Sequence, residues 1–199
     1  AQGEAHSLER LALARLRAIA GSRELGARVE RIRDELLYSG RPPDQQELAE
    51  ARQRQLDPRT RAGELNAKTS PGALRDLEWV ILLLQCRHGG QHPELRTPYL
   101  REALERLPAL GILSAEEAER LSGAYDFLRR LINGLRMLRG TAVDLYLPAL
   151  DSQEYVHLAR RLGYSSSGDL APEQRLRLEF ETCTAAVRFA VERHQGRET

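Results

Sequence analysis

A single lysine stands among the 30 Lys and Arg residues of this sequence. It is Lys68, in the run NAKTSPGALRDLEWVILLLQCRHG from Asn66 to Gly89, where the carboxylates Asp76 and Glu78 follow it. A lysine near two acids is the raw material of phosphate binding or acid–base chemistry. Lysine is a compact point charge where arginine is a broad planar fork, so a tight site around a phosphate or carboxylate favours it. Two carboxylates side by side can share a proton or a metal ion. The spacing argues against such a pair here. At about 100° of turn per helical residue, Asp76 and Glu78 stand about 200° apart.

The helix that must carry them is apolar nearly all round, with Leu74, Leu77 and the run Trp79 to Leu84. Such a helix is buried. Asp76 shares a line with Val80, Leu83 and Arg87, and Glu78 shares one with Leu74, Leu82 and Gln85, with Arg75 beside it. A carboxylate on a buried helix must be paired or must face a polar cavity. Two readings stay open. Asp76 and Glu78 are structural ion-pair partners of nearby arginines, Arg87 serving Asp76. Alternatively Lys68, Asp76, Glu78 and Arg87 border a charged ligand or a neighbouring domain.

A second candidate is the basic stripe of Arg129, Arg130, Arg136 and Arg139, with Asn133 between them. It suits phosphates or an acidic partner, or it is a solvated, internally paired face, given Asp126 and Asp144 close by. Cys86, His88 and His92 have no fourth ligand at a recognised spacing, so a metal site is disfavoured. No G-x-S-x-G, P-loop or G-x-G-x-x-G is present.

The elements that position these residues read as helices throughout, about seven or eight in all. Expected spans are Leu8–Ala20 after a capping Ser7, then Ser22 to Tyr38 with Leu25, Val29, Ile32 and Leu36 turned inward. Asp44 and Glu47 form a capping box for a polar helix to about Leu56, and 57–69 reads as loop. Ser70-Pro71 reads as a helix start running to about His88, and Thr97-Pro98 as the start of Tyr99–Leu107. Ser114 and Glu117 open a long helix to about Arg139 with the stripe Leu121, Tyr125, Leu128, Ile132, Leu135. Asp151 and Glu154 open Tyr155–Leu162. Pro172 begins a last helix whose inner stripe is Leu176, Phe180, Cys183, Val187 and Val191, with a frayed tail from about His194. Only TAVDLYLP resembles a strand, and it ends in Pro148. The expectation is one all-α bundle over 1–199, with a linker-type hairpin at 8–38 and the main bundle at 70–194.

Bulk composition narrows the function. The chain has 199 residues, a net charge of +1 and 41% hydrophobic residues. That supports a real core and gives no bulk attraction to nucleic acid or to an acidic membrane. Two cysteines cannot make a disulfide framework. The longest apolar run falls far short of the ~20 residues a membrane span needs. A cytoplasmic setting is expected. The first residue is Ala and the single Met is Met137, so the expectation is a piece of a longer chain.

The run KTSPGALRDLEWVILLLQCRHG resembles the helical domain that follows each nucleotidyltransferase domain in the glutamine synthetase adenylyltransferase family. PELRTP, EALERLPALGILSAEEAERLSGAYDFLRRL, LYLP and LARRLGY extend the resemblance, and LERLALARLRAIAGSRELGARV resembles the family's linker helix. Departures are Ala73 in place of a second Gly, Leu-Glu-Trp in place of Ile-Glu-Phe, and INGLRMLRG in place of an acid-containing run. They point to a divergent branch whose target need not be glutamine synthetase.

The resemblance implies AMP transfer to or from a protein, with ATP and Mg2+ used by the full-length protein. It places catalysis in a nucleotidyltransferase domain carrying a D-x-D, and this chain has no D-x-D. The expected role is therefore a helical accessory, substrate-positioning domain, not catalytic alone and holding no cofactor or metal itself. Its expected partners are the nucleotidyltransferase domain of the same chain and glutamine synthetase or another protein substrate. The alternative is a non-catalytic protein-interaction or regulatory module, with the arginine stripe as its surface.

Overall fold

Apolar residues spaced by threes and fours predict helices, and helices form. The computed structural model describes residues 7–38, 44–54, 64–166 and 170–195. Among the described residues it has eight α-helices: α1 (Ser7–Leu13), α2 (Arg23–Tyr38), α3 (Gln45–Arg54), α4 (Leu74–His88), α5 (Leu100–Arg106), α6 (Ala115–Arg139), α7 (Gln153–Arg161) and α8 (Pro172–Gln195). A 3-10 turn, Pro93–Leu95, lies between α4 and α5. The strand-like run contributes one isolated antiparallel bridge, Asn66 to Tyr146. The Ala67 N–H donates to the Leu145 carbonyl at 2.9 Å and the Leu147 N–H to the Leu65 carbonyl at 2.7 Å. Pro148, with no N–H to give, ends the pairing.

Contacts divide the chain into two compact units. The first comprises Ala1–Arg54, Glu78–Ala118 and Arg193–Thr199, and the second Gln55–Leu77 and Glu119–Glu192. Helices α4, α6 and α8 thus have residues in both.

The second unit is built on the expected stripes of α6 and α8. Leu128, Ile132 and Leu135 of α6 and Leu176 and Phe180 of α8 join Leu145, Tyr155 and Leu158 in one buried cluster. Tyr125 and Cys183 pack on it half-buried. Each fully buried Leu, Ile or Phe contributes about 1.5–3 kcal/mol relative to exposure. In the first unit α1 packs on α2 and on α3, and Leu11, Leu37 and Leu48 are buried there.

The first unit also departs from expectation. Helix α1 stops at Leu13 rather than Ala20, because Ala14, Arg15 and Leu16 bond three residues back. Side chains of α2 claim the backbone beyond. Arg33 Nη1 donates to the Leu16 carbonyl at 2.5 Å, and the Ala18 N–H donates to Glu30 Oε1 at 2.8 Å. This turns α2 about its axis. Its buried residues are Arg33, Leu37 and Tyr38, and the stripe expected inside, Leu25, Val29, Ile32 and Leu36, is exposed.

Several helix starts follow the sequence. Ser22 Oγ accepts from the Leu25 N–H, Asp44 Oδ1 from the Glu47 N–H and Ser114 Oγ from the Glu117 N–H. Others shift. Ser152, not Asp151, caps α7, and α5 begins at Leu100, with Thr97 Oγ1 accepting from the Tyr99 N–H. The breaks at Gly40, Pro42 and Pro43, the loop at 57–63 and the tail at 196–199 lie outside the described residues, as does the side chain of Ser7.

Candidate functional site

Residues 66–73, in the second unit, form a wound turn and not the first turn of a helix. The Ser70-Pro71 start expected from sequence is corrected to Leu74. Ser70 Oγ accepts from the Asn66 N–H at 2.7 Å, so it is not free to cap the helix. Asn66 Oδ1 accepts from the N–H groups of Lys68 (2.9 Å) and Thr69 (3.1 Å). The first N–H groups of any helix lack partners within it. Here the carbonyls of Ala67 and Lys68 accept from Leu74 (3.4 Å) and Arg75 (3.0 Å).

Gly72 sits at the hinge of this turn with φ +81. A Cβ on it would lie 2.1 Å from the carbonyl oxygen of Thr184 on α8. Only glycine meets both demands. Asp76 is buried, and its Oδ2 accepts from the Gly72 N–H at 2.7 Å. An acid in a first helical turn also gains from the helix dipole. Lys68, by contrast, is exposed at the surface of this braced loop.

The rest of the motif lies in the first unit. Glu78 Oε1 is 3.7 Å from Arg15 Nη1, a half-exposed pair of small energetic weight. Gln85, fully buried, donates through Nε2 to the carbonyls of Leu95 (2.6 Å) and Thr97 (2.8 Å) and so pins the 3-10 turn to α4. Arg87 Nη1 donates to the His194 carbonyl at 2.5 Å, and burial holds its guanidinium pKa below the usual value. Arg87 is not the partner of Asp76. Eleven residues of one helix separate them, about 16 Å of rise, beyond the reach of the two side chains together. A Cβ on Gly89 would lie 2.5 Å from the Tyr38 ring. Arg96 closes the corner, with Nε on the Gly89 carbonyl at 2.7 Å and its guanidinium 5.1 Å from the Tyr38 ring centre.

His194, expected in a frayed tail, is buried. Its Nε2 lies 2.9 Å from Glu117 Oε1, while Arg193 Nη1 donates to Glu117 Oε2 at 2.8 Å. The acid read from sequence as half of a capping box therefore also anchors the end of α8. Burial, then Arg87, His92 and His194, hold the His88 imidazole below its usual pKa.

The arginine stripe divides. Arg129 and Arg136 are exposed. Arg130 lies 3.5 Å from Glu179. Arg139 turns inward to Glu154 Oε1 (2.8 Å), Asp144 Oδ1 (2.9 Å) and the Tyr146 carbonyl (2.7 Å). It is a structural clamp and leaves the stripe.

Neither thiol is set up as a nucleophile. Burial raises Cys86 to about 12 and Cys183 to about 11, which leaves both protonated at neutral pH. Among the described residues no three His, Cys, Asp or Glu side chains gather as a metal cluster. No described helix is long and apolar enough to cross a membrane. Sequence reasoning missed Gln85 and the Glu117–His194 pair. A glutamine closing an apolar run was the available signal, since a buried amide must find partners.

A family model described as GlnD PII-uridylyltransferase matches residues 44–193, three quarters of the chain. This chain belongs to that family.

The match takes in the whole Asn66–Gly89 motif and starts after α2. Relatives of this GlnD-family chain carry the name bifunctional glutamine synthetase adenylyltransferase/adenylyl-removing enzyme. The one from Streptomyces coelicolor is 34% identical over 172 residues, 82% of this chain and 17% of the relative. That from Streptomyces avermitilis is 33% identical over 175 residues, 84% of this chain and 17% of the relative. That from Xanthomonas axonopodis pv. citri is 38% identical over 117 residues, 57% of this chain and 12% of the relative. The chain thus spans about a sixth of the length of the first two relatives. The resemblance to the glutamine synthetase adenylyltransferases holds over most of the chain.

Proposed function

We propose that this chain is the helical accessory part of a longer nucleotidyltransferase that adds a nucleotide to a protein or removes it. One observation carries the reading. The motif shared with the family folds into a braced loop that holds Lys68 outward. Asp76, Gln85 and Arg87 meanwhile each hydrogen-bond a backbone group. A scaffold that presents one cation at a fixed place suits a wall or a docking point rather than a reaction centre.

Transfer at phosphorus needs metal-bound carboxylates. The sequence has no D-x-D, and Asp76, Glu117, Asp144 and Glu154 are engaged in caps and ion pairs. The residues present do not fit a nucleotide–metal site. ATP and Mg2+ belong, in this reading, to a nucleotidyltransferase domain elsewhere in the full-length chain. Relatives named as glutamine synthetase adenylyltransferases support a protein substrate of that kind. The family description names uridylyl transfer to PII instead, so the nucleotide and the target are separate questions for experiment.

A second reading, a module that binds a partner protein, is favoured by the exposure of Arg129 and Arg136. Lys68→Ala in the full-length protein is expected to lower kcat/KM for nucleotide transfer about tenfold, about 1.4 kcal/mol. If Lys68→Ala changes nothing while Arg129→Glu with Arg136→Glu raises KM for the protein substrate, the interaction-module reading takes its place. Unchanged kinetics in all these variants would remove both.

A further inference from the structure

Lys68 and Arg188 are both exposed, one in the braced loop and the other on α8. Both belong to the second unit. Arg188 Nη1 donates to the Pro71 carbonyl at 3.3 Å, and a Cβ on Gly72 would lie 2.9 Å from Arg188 Cγ. The arginine stem therefore lies on the loop. From Pro71 to Lys68 the chain runs three residues, at most about 10 Å, within the combined reach of a lysine and an arginine side chain. Among the described residues neither cation pairs with an acid. Asp76, the nearest acid in the motif, is buried and turned to the Gly72 N–H. Glu192 stands one turn beyond Arg188 on α8 without bridging to it.

The surroundings say what kind of ligand completes this pair. Every backbone N–H from Asn66 to Asp76 already has an acceptor, Pro71 having none to give. The loop thus offers no amide nest, and side chains alone hold a ligand. Lys68 keeps all three donors of its ammonium, and Arg188 has spent one of its five. Thr69 Oγ1, next to Lys68, is buried with no hydrogen-bond partner, so one hydroxyl of the loop still has a bond to make. Two cations and a hydroxyl around one turn suit an anion with oxygens in three directions. A phosphate group has them and carries up to two charges, whereas a carboxylate has one charge and two oxygens in a plane. We propose that Lys68 and Arg188 form a clamp over Pro71 for a phosphate group, either a free anion or the phosphates of a nucleotide. The clamp rests on the outward role given to Lys68 above and adds Arg188 to it as a second binding residue.

Amine labelling of the full-length protein tests this site. Acetic anhydride acetylates free amines, and Lys68 is the single lysine of these 199 residues, so mass spectrometry of its peptide reads this site apart from any other nucleotide site. Saturating pyrophosphate is expected to slow acetylation of Lys68 about fivefold or more. Arg188→Ala and Arg188→Gln, the second keeping the stem on Gly72, each return the rate to its ligand-free value with unchanged circular dichroism. Protection by inorganic phosphate and pyrophosphate assigns a free anion, and protection by a nucleoside triphosphate alone assigns the phosphates of a nucleotide. Three results overturn the clamp: no protection by any of these, equal protection by succinate, or protection that survives both arginine variants. Protection of Lys68 together with unchanged kcat/KM in Lys68→Ala removes the transfer role and leaves the clamp standing. Lowered kcat/KM without protection removes the clamp alone.

Discussion

Asp76 Oδ2 accepts the Gly72 N–H at 2.7 Å, so the acid that looked most ready for chemistry holds its own helix start instead. Removing a charged, buried acceptor leaves an N–H unsatisfied and costs about 1.5–3 kcal/mol. Asp76→Ala is therefore expected to lower Tm by about 3–12 °C in a domain of this size, and Asp76→Asn, which keeps an acceptor oxygen, by much less. Thermal and urea unfolding check this. An Asp76→Ala protein of native stability and lost activity would return the residue to a functional role.

Gly72 and Gly111 both have positive φ, +81 and +69, but only Gly72 faces a neighbour. A Cβ at Gly72 would meet the Thr184 carbonyl at 2.1 Å, whereas one at Gly111 would meet nothing within 4 Å. Gly111→Ala should cost about 1–2 kcal/mol, the left-handed strain alone. Gly72→Ala adds displacement of α8 backbone and should cost clearly more, of the order of 3–4 kcal/mol. Equal losses in chemical denaturation would show that the turn yields without cost.

The His88 imidazole is held below the usual 6.5, first by burial and then by Arg87, His92 and His194. Below 6.5 the unfolded chain takes up a proton that the folded chain still refuses, so stability falls as pH falls through that window. The contribution is fully present above 6.5. His88→Gln should flatten the decline of Tm with acidification while changing it little at pH 7.5. A mutant with the same acid limb as the native protein would assign that limb to other groups.

Arg139 binds Glu154, Asp144 and the Tyr146 carbonyl at once. Lysine cannot reproduce three divergent contacts from a planar fork. Arg139→Lys is expected to cost about 1–2 kcal/mol, and Arg136→Lys, on an exposed face, less than about 0.5 kcal/mol. Paired unfolding curves for the two variants read the difference directly.

Much of the fold was legible before the structure. The stripes of α6 and α8 were readable because burial of a whole helix face imposes a period that composition cannot hide. Ser22, Asp44 and Ser114 were readable as caps because each reaches an N–H three residues on, with no help from elsewhere. The candidate site was legible only as a segment. Helical angles separated Asp76 from Glu78 correctly, but the partner of Arg87 lies 107 residues away, where no local pattern can point.

The sequence by itself determined the helical class, the inner faces of the long helices and the kinship of the central motif. These depend on intervals of a few residues and on residue type. Tertiary structure decided where the polar groups go. Ser70 gave up its cap to Asn66, α1 ended early because Arg33 and Glu30 took its backbone, and the seam of α2 turned outward. An apolar stripe states only that something must cover it, and a charged side chain only that something must pair with it. Which surface or carbonyl does so is fixed by neighbours distant in the chain.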